Sequence, residues 1–164
     1  MSTLPASLNG WPVLEPGSVH LARGTVPGTG ITLTVRDICL PLFLALAADY
    51  NRVIEPLTLG THDDAGYAYR APRTATTGGT WSNHASGTAV DLNWTGHGAR
   101  TAANRAWWQL ARPKSRVQNL QTKYPILTWG GNWSPTNFDP MHWEITRGIK
   151  GSQVIAFCLK AGIR

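Results

Sequence analysis

The sequence predicts a single α+β domain, and three observations carry that expectation. Short alternating stretches of strand length are interleaved with longer helical ones. The 17 glycines and 11 prolines break the chain often enough to rule out a helical bundle. Apolar residues make up 42% against 15% charged, a balance that excludes disorder in a chain of 164 residues.

The elements follow in order. Residues 1–33 read as an extended, turn-rich lead-in, punctuated by Asn9-Gly10, Pro16-Gly17 and Pro27-Gly28. Thr34 with Asp37 resembles a helix-start box, predicting a helix over 34–53 in which Pro41 marks either a kink or the true first turn. An irregular loop is expected over 60–80 and a strand over 88–93. Helices are expected over 102–111 and 115–123, separated by Pro113. Strands at 126–129 and 141–146 and a closing helix at 152–161 complete the chain. No repeat or linker divides it, so residues 1–164 form one domain with its core in 34–164.

Net charge +6 favours an acidic partner, yet no basic run exceeds two residues and no nucleic-acid motif is present. The charge therefore reads as general attraction, without a specific nucleic-acid partner. The longest apolar run, 38–48, falls short of the roughly 20 residues a bilayer span needs. No secretory signal pattern opens the chain. The expectation is a monomer made in the cytoplasm, with no membrane partner. Cys39 and Cys158 sit in apolar stretches without ligand-spaced neighbours and read as two buried free thiols, with a single disulfide as the alternative.

Two segments carry chemistry. In Ser82-Asn83-His84-Ala85-Ser86-Gly87-Thr88-Ala89-Val90-Asp91-Leu92-Asn93, alternation turns Val90 and Leu92 to a core and Asp91 to the other face. A tight turn at Ser86-Gly87 would fold His84 back beside Asp91. In Asp139-Pro140-Met141-His142-Trp143-Glu144-Ile145, alternation separates Met141, Trp143 and Ile145 from His142 and Glu144. His84, Asp91 and His142 then offer three metal ligands and leave a fourth position for water, the arrangement of catalytic zinc. Hydrolysis also needs a nearby carboxylate as general base. Asp139 and Glu144 both qualify by position, and alternation favours Glu144.

The pattern Ser82-x-His84-x-x-Gly87-x-Ala89-x-Asp91, with Asp139-x-x-His142-Trp143 downstream, resembles the zinc D-alanyl-D-alanine carboxypeptidase family. That family includes phage L-alanyl-D-glutamate endolysins and vancomycin-resistance D,D-dipeptidases. Trp129-Gly130-Gly131-Asn132-Trp133 looks like the endolysin branch, and the likeness runs from about residue 34 onward. The resemblance implies the compact fold shared with Hedgehog signalling domains, a central antiparallel sheet flanked by helices. It also implies zinc on His84, Asp91 and His142, and selects Asp139 over Glu144 as base, although many relatives carry Glu there. Arg70 is the best match for the oxyanion-stabilising arginine, with Arg73 in reserve. Ser82, Trp81 and Trp133 are candidates for substrate contact.

The activity implied is hydrolysis of a stem-peptide amide of bacterial peptidoglycan, at the cell wall, by an endopeptidase acting on a bond such as L-Ala-D-Glu. A D-Ala-D-Ala carboxypeptidase is the alternative within the enzyme class. Outside it stands a non-catalytic, zinc-containing wall-binding module.

Overall fold

The structure is a computed structural model that describes residues 5–58, 62–70 and 81–164. It is a mixed α+β fold in which two antiparallel sheets are flanked by helices, in agreement with the expected class. The first sheet pairs β1 (Leu21–Thr25) with β2 (Thr32–Arg36). The second has the order β3-β5-β4, formed by Ala89–Asp91, His142–Ile145 and Leu127–Trp129. The helices are α1 (Leu40–Val53), α2 (Ala102–Gln109), α3 (Ala111–Lys123) and α4 (Gly151–Ala161).

The helix expected from Thr34 begins later. Residues 32–36 alternate Thr-Leu-Thr-Val-Arg, which buries Leu33 and Val35 as a strand, and Asp37–Cys39 form one turn of 3-10 helix. Asp37 accepts from the backbone N–H of Ile38 beside it, so the acid ends a strand as well as opening a helix. Pro41 stands in the first turn of α1, where its missing N–H costs nothing, and the helix is not kinked there. Pro113 likewise lies inside the first turn of α3, so α3 starts at Ala111 rather than after that proline. The break between α2 and α3 is the extended Leu110.

The core gathers both sheets and all four helices. Leu42, Phe43, Leu46, Ala47 and Tyr50 recur at helical spacing and bury one face of α1. Trp108, Tyr124 and Trp143 are almost wholly enclosed, each contributing roughly 2–3 kcal/mol of burial. Cys39 and Cys158 are free, buried thiols, and burial pushes Cys39 up to about 12.

The lead-in is part of the packed fold. Trp11, Val13, Leu14, Val26 and Ile31 are all buried. Asn9 donates through its side chain to Thr88 Oγ1 (2.9 Å) and the Ile145 carbonyl (3.0 Å), while its backbone N–H donates to Asn83 Oδ1 (2.8 Å). These bonds tie the lead-in ahead of β1 to the turn that carries His84.

Candidate metal centre

The site is assembled by the three-stranded sheet and the turn preceding it. Antiparallel register sets Asp91 of β3 directly opposite His142 of β5, and Ala89 opposite Glu144. Cross-strand partners on one face lie close enough for side chains to meet. The opposite face is apolar, with Val90 and Trp143 paired and fully buried.

His84 arrives through the 83–87 turn. Gly87 has φ of +67°, and a Cβ there would stand 2.4 Å from the Arg36 backbone nitrogen, so the turn requires glycine. Arg36 braces it further, donating to the Ser86 carbonyl (3.0 Å) and the Pro12 carbonyl (2.6 Å). On the other side of β3, Ala65 exchanges backbone hydrogen bonds with Asp91. That pairing presents the Gly66 carbonyl to His84 Nδ1 at 2.6 Å. Gly66 is held against β2 so closely that a Cβ would meet the Thr34 carbonyl oxygen at 2.1 Å.

The contact with Gly66 assigns the His84 proton to Nδ1 and leaves Nε2 with its lone pair inward. Nε2 lies 3.2 Å from His142 Nδ1 and 3.3 Å from Asp91 Oδ1, and the last two are 2.9 Å apart. Among the described residues, these three side chains form a group whose ligand atoms all fall within 4.8 Å of one another. A tetrahedral ion with bonds of about 2.0–2.2 Å needs ligand atoms about 3.3–3.5 Å apart. The observed triangle fits a small divalent cation with little adjustment. All three residues are buried, so their converging polar atoms are largely withdrawn from solvent.

The electrostatics agree with that arrangement. Burial opposes the Asp91 carboxylate, but the hydrogen bond from His142 and the two imidazoles beside it outweigh that cost and hold the acid well below the usual carboxylate range. Burial also opposes a charged His142. Its bonds to Asp91 and Glu144 prevail and raise it to about 9. The metal-free native state therefore gains stability from this proton below pH about 6.5, and loses it as pH rises through about 9. A metal ligand must be neutral at Nδ1, so cation and proton compete. Adding zinc to stripped protein at pH 7.5 should release about one proton, with apparent affinity rising roughly tenfold per pH unit towards 9. Calorimetry in buffers of different ionisation enthalpy reads the proton count. Binding without proton release would show that His142 is already neutral in the metal-free protein at that pH.

Glu144, left open from spacing as a base, is placed behind the triad. Its Oε2 accepts from Asn83 Nδ2 at 2.6 Å and meets His142 Nε2 at 2.8 Å. A carboxylate on the far nitrogen of a ligating histidine fixes the ring and raises its basicity. Alternation correctly places Glu144 on the face of His142, and that same proximity commits it to the imidazole.

Asp139 lines the same cavity, of about 590 Å³, together with the triad, Arg70, Ser82, Trp94, Arg100 and Trp133. It is buried, with Oδ2 ion-paired to Arg100 and Oδ1 without a partner among the described residues. Arg100 has no counterpart in the sequence reading; it stands in a loop between a strand and a helix and matches no motif. Trp133 leans over His142, with ring centroids 5.1 Å apart. Trp81 packs on Tyr69 at 4.6 Å and is not among the residues lining the cavity. Arg73 lies outside the described residues. His97 is stacked on Trp107 at 3.7 Å and meets Glu55 at 2.6 Å.

Residues 75–145 match the family model described as D-alanyl-D-alanine carboxypeptidase. The matched span is less than half of the chain, but it contains His84, Asp91, Asp139 and His142 together. Neither the curated proteins nor the solved structures give a match. On the family match and the three converging ligand side chains, the chain is similar to metal-dependent peptidases of the peptidoglycan-trimming kind.

Proposed function

We propose that this protein is a zinc peptidase that hydrolyses an amide bond in the stem peptide of bacterial peptidoglycan, acting at the cell wall as an endopeptidase. One observation carries the reading: three ligand atoms of His84, Asp91 and His142 converge in a cavity that also presents a buried carboxylate oxygen of Asp139 with no partner among the described residues.

Histidine and carboxylate donors suit zinc better than calcium or magnesium, which take oxygen ligands. Bound there, the ion supplies Lewis-acid polarisation of an amide carbonyl and acidifies water. The protein's own groups do the rest. His84 and His142 are held rigid by the Gly66 carbonyl and Glu144. Asp139 Oδ1 accepts the proton of the attacking water and returns it to the departing amine. Arg70, on the cavity wall, faces the charge that develops on the carbonyl oxygen. Trp133 and Ser82 border the space a peptide would occupy.

Arg100 acts on the reaction through Asp139. By holding Oδ2 it leaves Oδ1 as the one oxygen available for proton transfer. Arg100→Ala should lower kcat by roughly ten- to a hundredfold with KM nearly unchanged, because a freed carboxylate spends most of its time misaligned. Arg100→Lys should recover part of the loss. An unchanged kcat in Arg100→Ala would remove it from the mechanism.

The second reading, a D-Ala-D-Ala carboxypeptidase, is favoured by the description of the matched family. The Trp129–Trp133 stretch favours the endopeptidase, since it resembles the endolysin branch and brings Trp133 onto His142. Mass spectrometry of digested muropeptides separates them. A new free amine inside the stem supports the endopeptidase, loss of one terminal alanine supports the carboxypeptidase, and no product refutes both.

A further inference from the structure

The uneven distribution of charge along the chain is not used by the proposed peptidase. Between Asp91 and Asp139 the sequence holds six cationic side chains and no Asp or Glu. Three of the six have internal work. Arg100 pairs with Asp139, and Lys123 pairs with Asp49. Arg105 donates to the Pro135 carbonyl at 2.7 Å and lies over the Phe138 ring.

The other three, Arg112, Lys114 and Arg116, fall within the first two turns of α3. None of the three side chains has a hydrogen-bond or ion-pair partner among the described residues. Arg112 and Lys114 are exposed, and Arg116 is half-buried. Their position opposes helix stability. The N-terminal turn of a helix favours anions, yet α3 has no acid there and no side-chain cap. Arg112 and Arg116, four apart, also repel each other on one face. Both line a groove of about 390 Å³ with Ile54, Trp107, Leu110 and Pro113. No acid borders it. Nothing in the packing offsets this concentration of positive charge, so a ligand is the natural source of its compensation.

We infer that the first two turns of α3 dock a phosphodiester-linked anionic polymer of the bacterial wall, retaining the enzyme on its insoluble substrate. Guanidinium groups grip phosphate oxygens bidentately, and cations at positions 112, 114 and 116 can follow successive phosphates. A lipid surface would call for a row of exposed apolar side chains, whereas on α2 and α3 Leu110 stands alone as a large exposed one. The groove also adjoins the catalytic cavity. Trp107, in the groove, is stacked on His97, and the next residues, Gly98 to Arg100, line the cavity. A wall strand anchored at α3 is thereby held beside the metal centre. The choice of a wall polymer rests on the proposed peptidase activity; the surface itself uses no residue of that site.

The test compares the full chain with a triple variant, Arg112→Gln, Lys114→Gln and Arg116→Gln, substitutions that keep length and helix propensity. Binding is measured on sacculi carrying their phosphodiester polymers and on sacculi stripped of them by hydrofluoric acid, over a range of salt. The wild type should bind the intact walls at least about tenfold more tightly than the variant, with a salt slope steeper by about two units. Stripped walls should abolish the difference, and hydrolysis of a small soluble stem peptide should be equal in both proteins. Equal binding of variant and wild type to intact walls overturns the inference. So does wild-type binding that survives stripping, or tighter binding to phosphatidylglycerol vesicles or duplex DNA at the same salt. If neither protein cleaves the soluble peptide while the binding difference persists, the surface stands and the peptidase reading fails.

Discussion

Asp139→Asn should leave the metal in place and lower the rate of stem-peptide hydrolysis by at least about a hundredfold. The substitution preserves size and the buried position, but removes the proton-accepting oxygen and the charge that faces Arg100. The informative comparison is Glu144→Gln. Glu144 meets His142 on the nitrogen away from the triad, so its loss should act through the metal, weakening affinity by about ten- to a hundredfold. Saturating zinc should restore most activity to Glu144→Gln and none to Asp139→Asn. The reverse pattern would transfer the role of base to Glu144. Metal content and kcat measured on both variants at several zinc concentrations decide the question.

His142→Ala should have the larger structural consequence. It removes one of three ligands and also the partner of two carboxylates, buried Asp91 and half-buried Glu144. Breaking such a pair from one side costs about 3–5 kcal/mol, because the remaining charge stays buried without compensation. The expected result is a protein without bound metal, without hydrolytic activity, and with a markedly lower melting temperature than the stripped wild type. A variant that keeps wild-type metal content would show that His142 is not a ligand, whatever its activity. Removing Asp91 as well should be less damaging than the sum of the two single losses, since they share one interaction.

The site was legible because its residues obey strand geometry. Alternation alone puts Asp91 and His142 on the polar faces of their strands, and the turn at Ser86-Gly87 requires the backbone that returns His84 to them. What alternation could not supply was the partner on each residue's far side. Gly66 orients His84 from a loop with no periodicity, and its signal was only a glycine among others. Arg100 reaches Asp139 across 39 residues of sequence, a distance over which spacing carries no information. Trp81 and Ser82 are neighbours in the chain, yet adjacent residues in an extended segment point opposite ways: Ser82 lines the cavity and the Trp81 ring turns to Tyr69.

The fold shows the same division. Helices and strands with a single apolar face were placed within a few residues, from 88–93 through 152–161. The start of α1 was misplaced because Thr34 and Asp37 satisfy a helix-start pattern while Leu33 and Val35 satisfy a strand. Pairing with β1 over five residues decides for the strand. The lead-in read as peripheral for lack of periodicity, yet Asn9 is bonded to the very turn that bears His84. Long-range polar contacts of that kind are set by the assembled fold and leave no local pattern.

The most direct test of the central claim is the metal content of the purified protein, read by native mass spectrometry alongside a His84→Ala variant. The account predicts one zinc ion per wild-type chain, removed by a chelator together with wall hydrolysis and restored with it, and none in the variant. Wild-type protein that takes up no zinc, or that hydrolyses the wall fully after the ion is stripped, would contradict it.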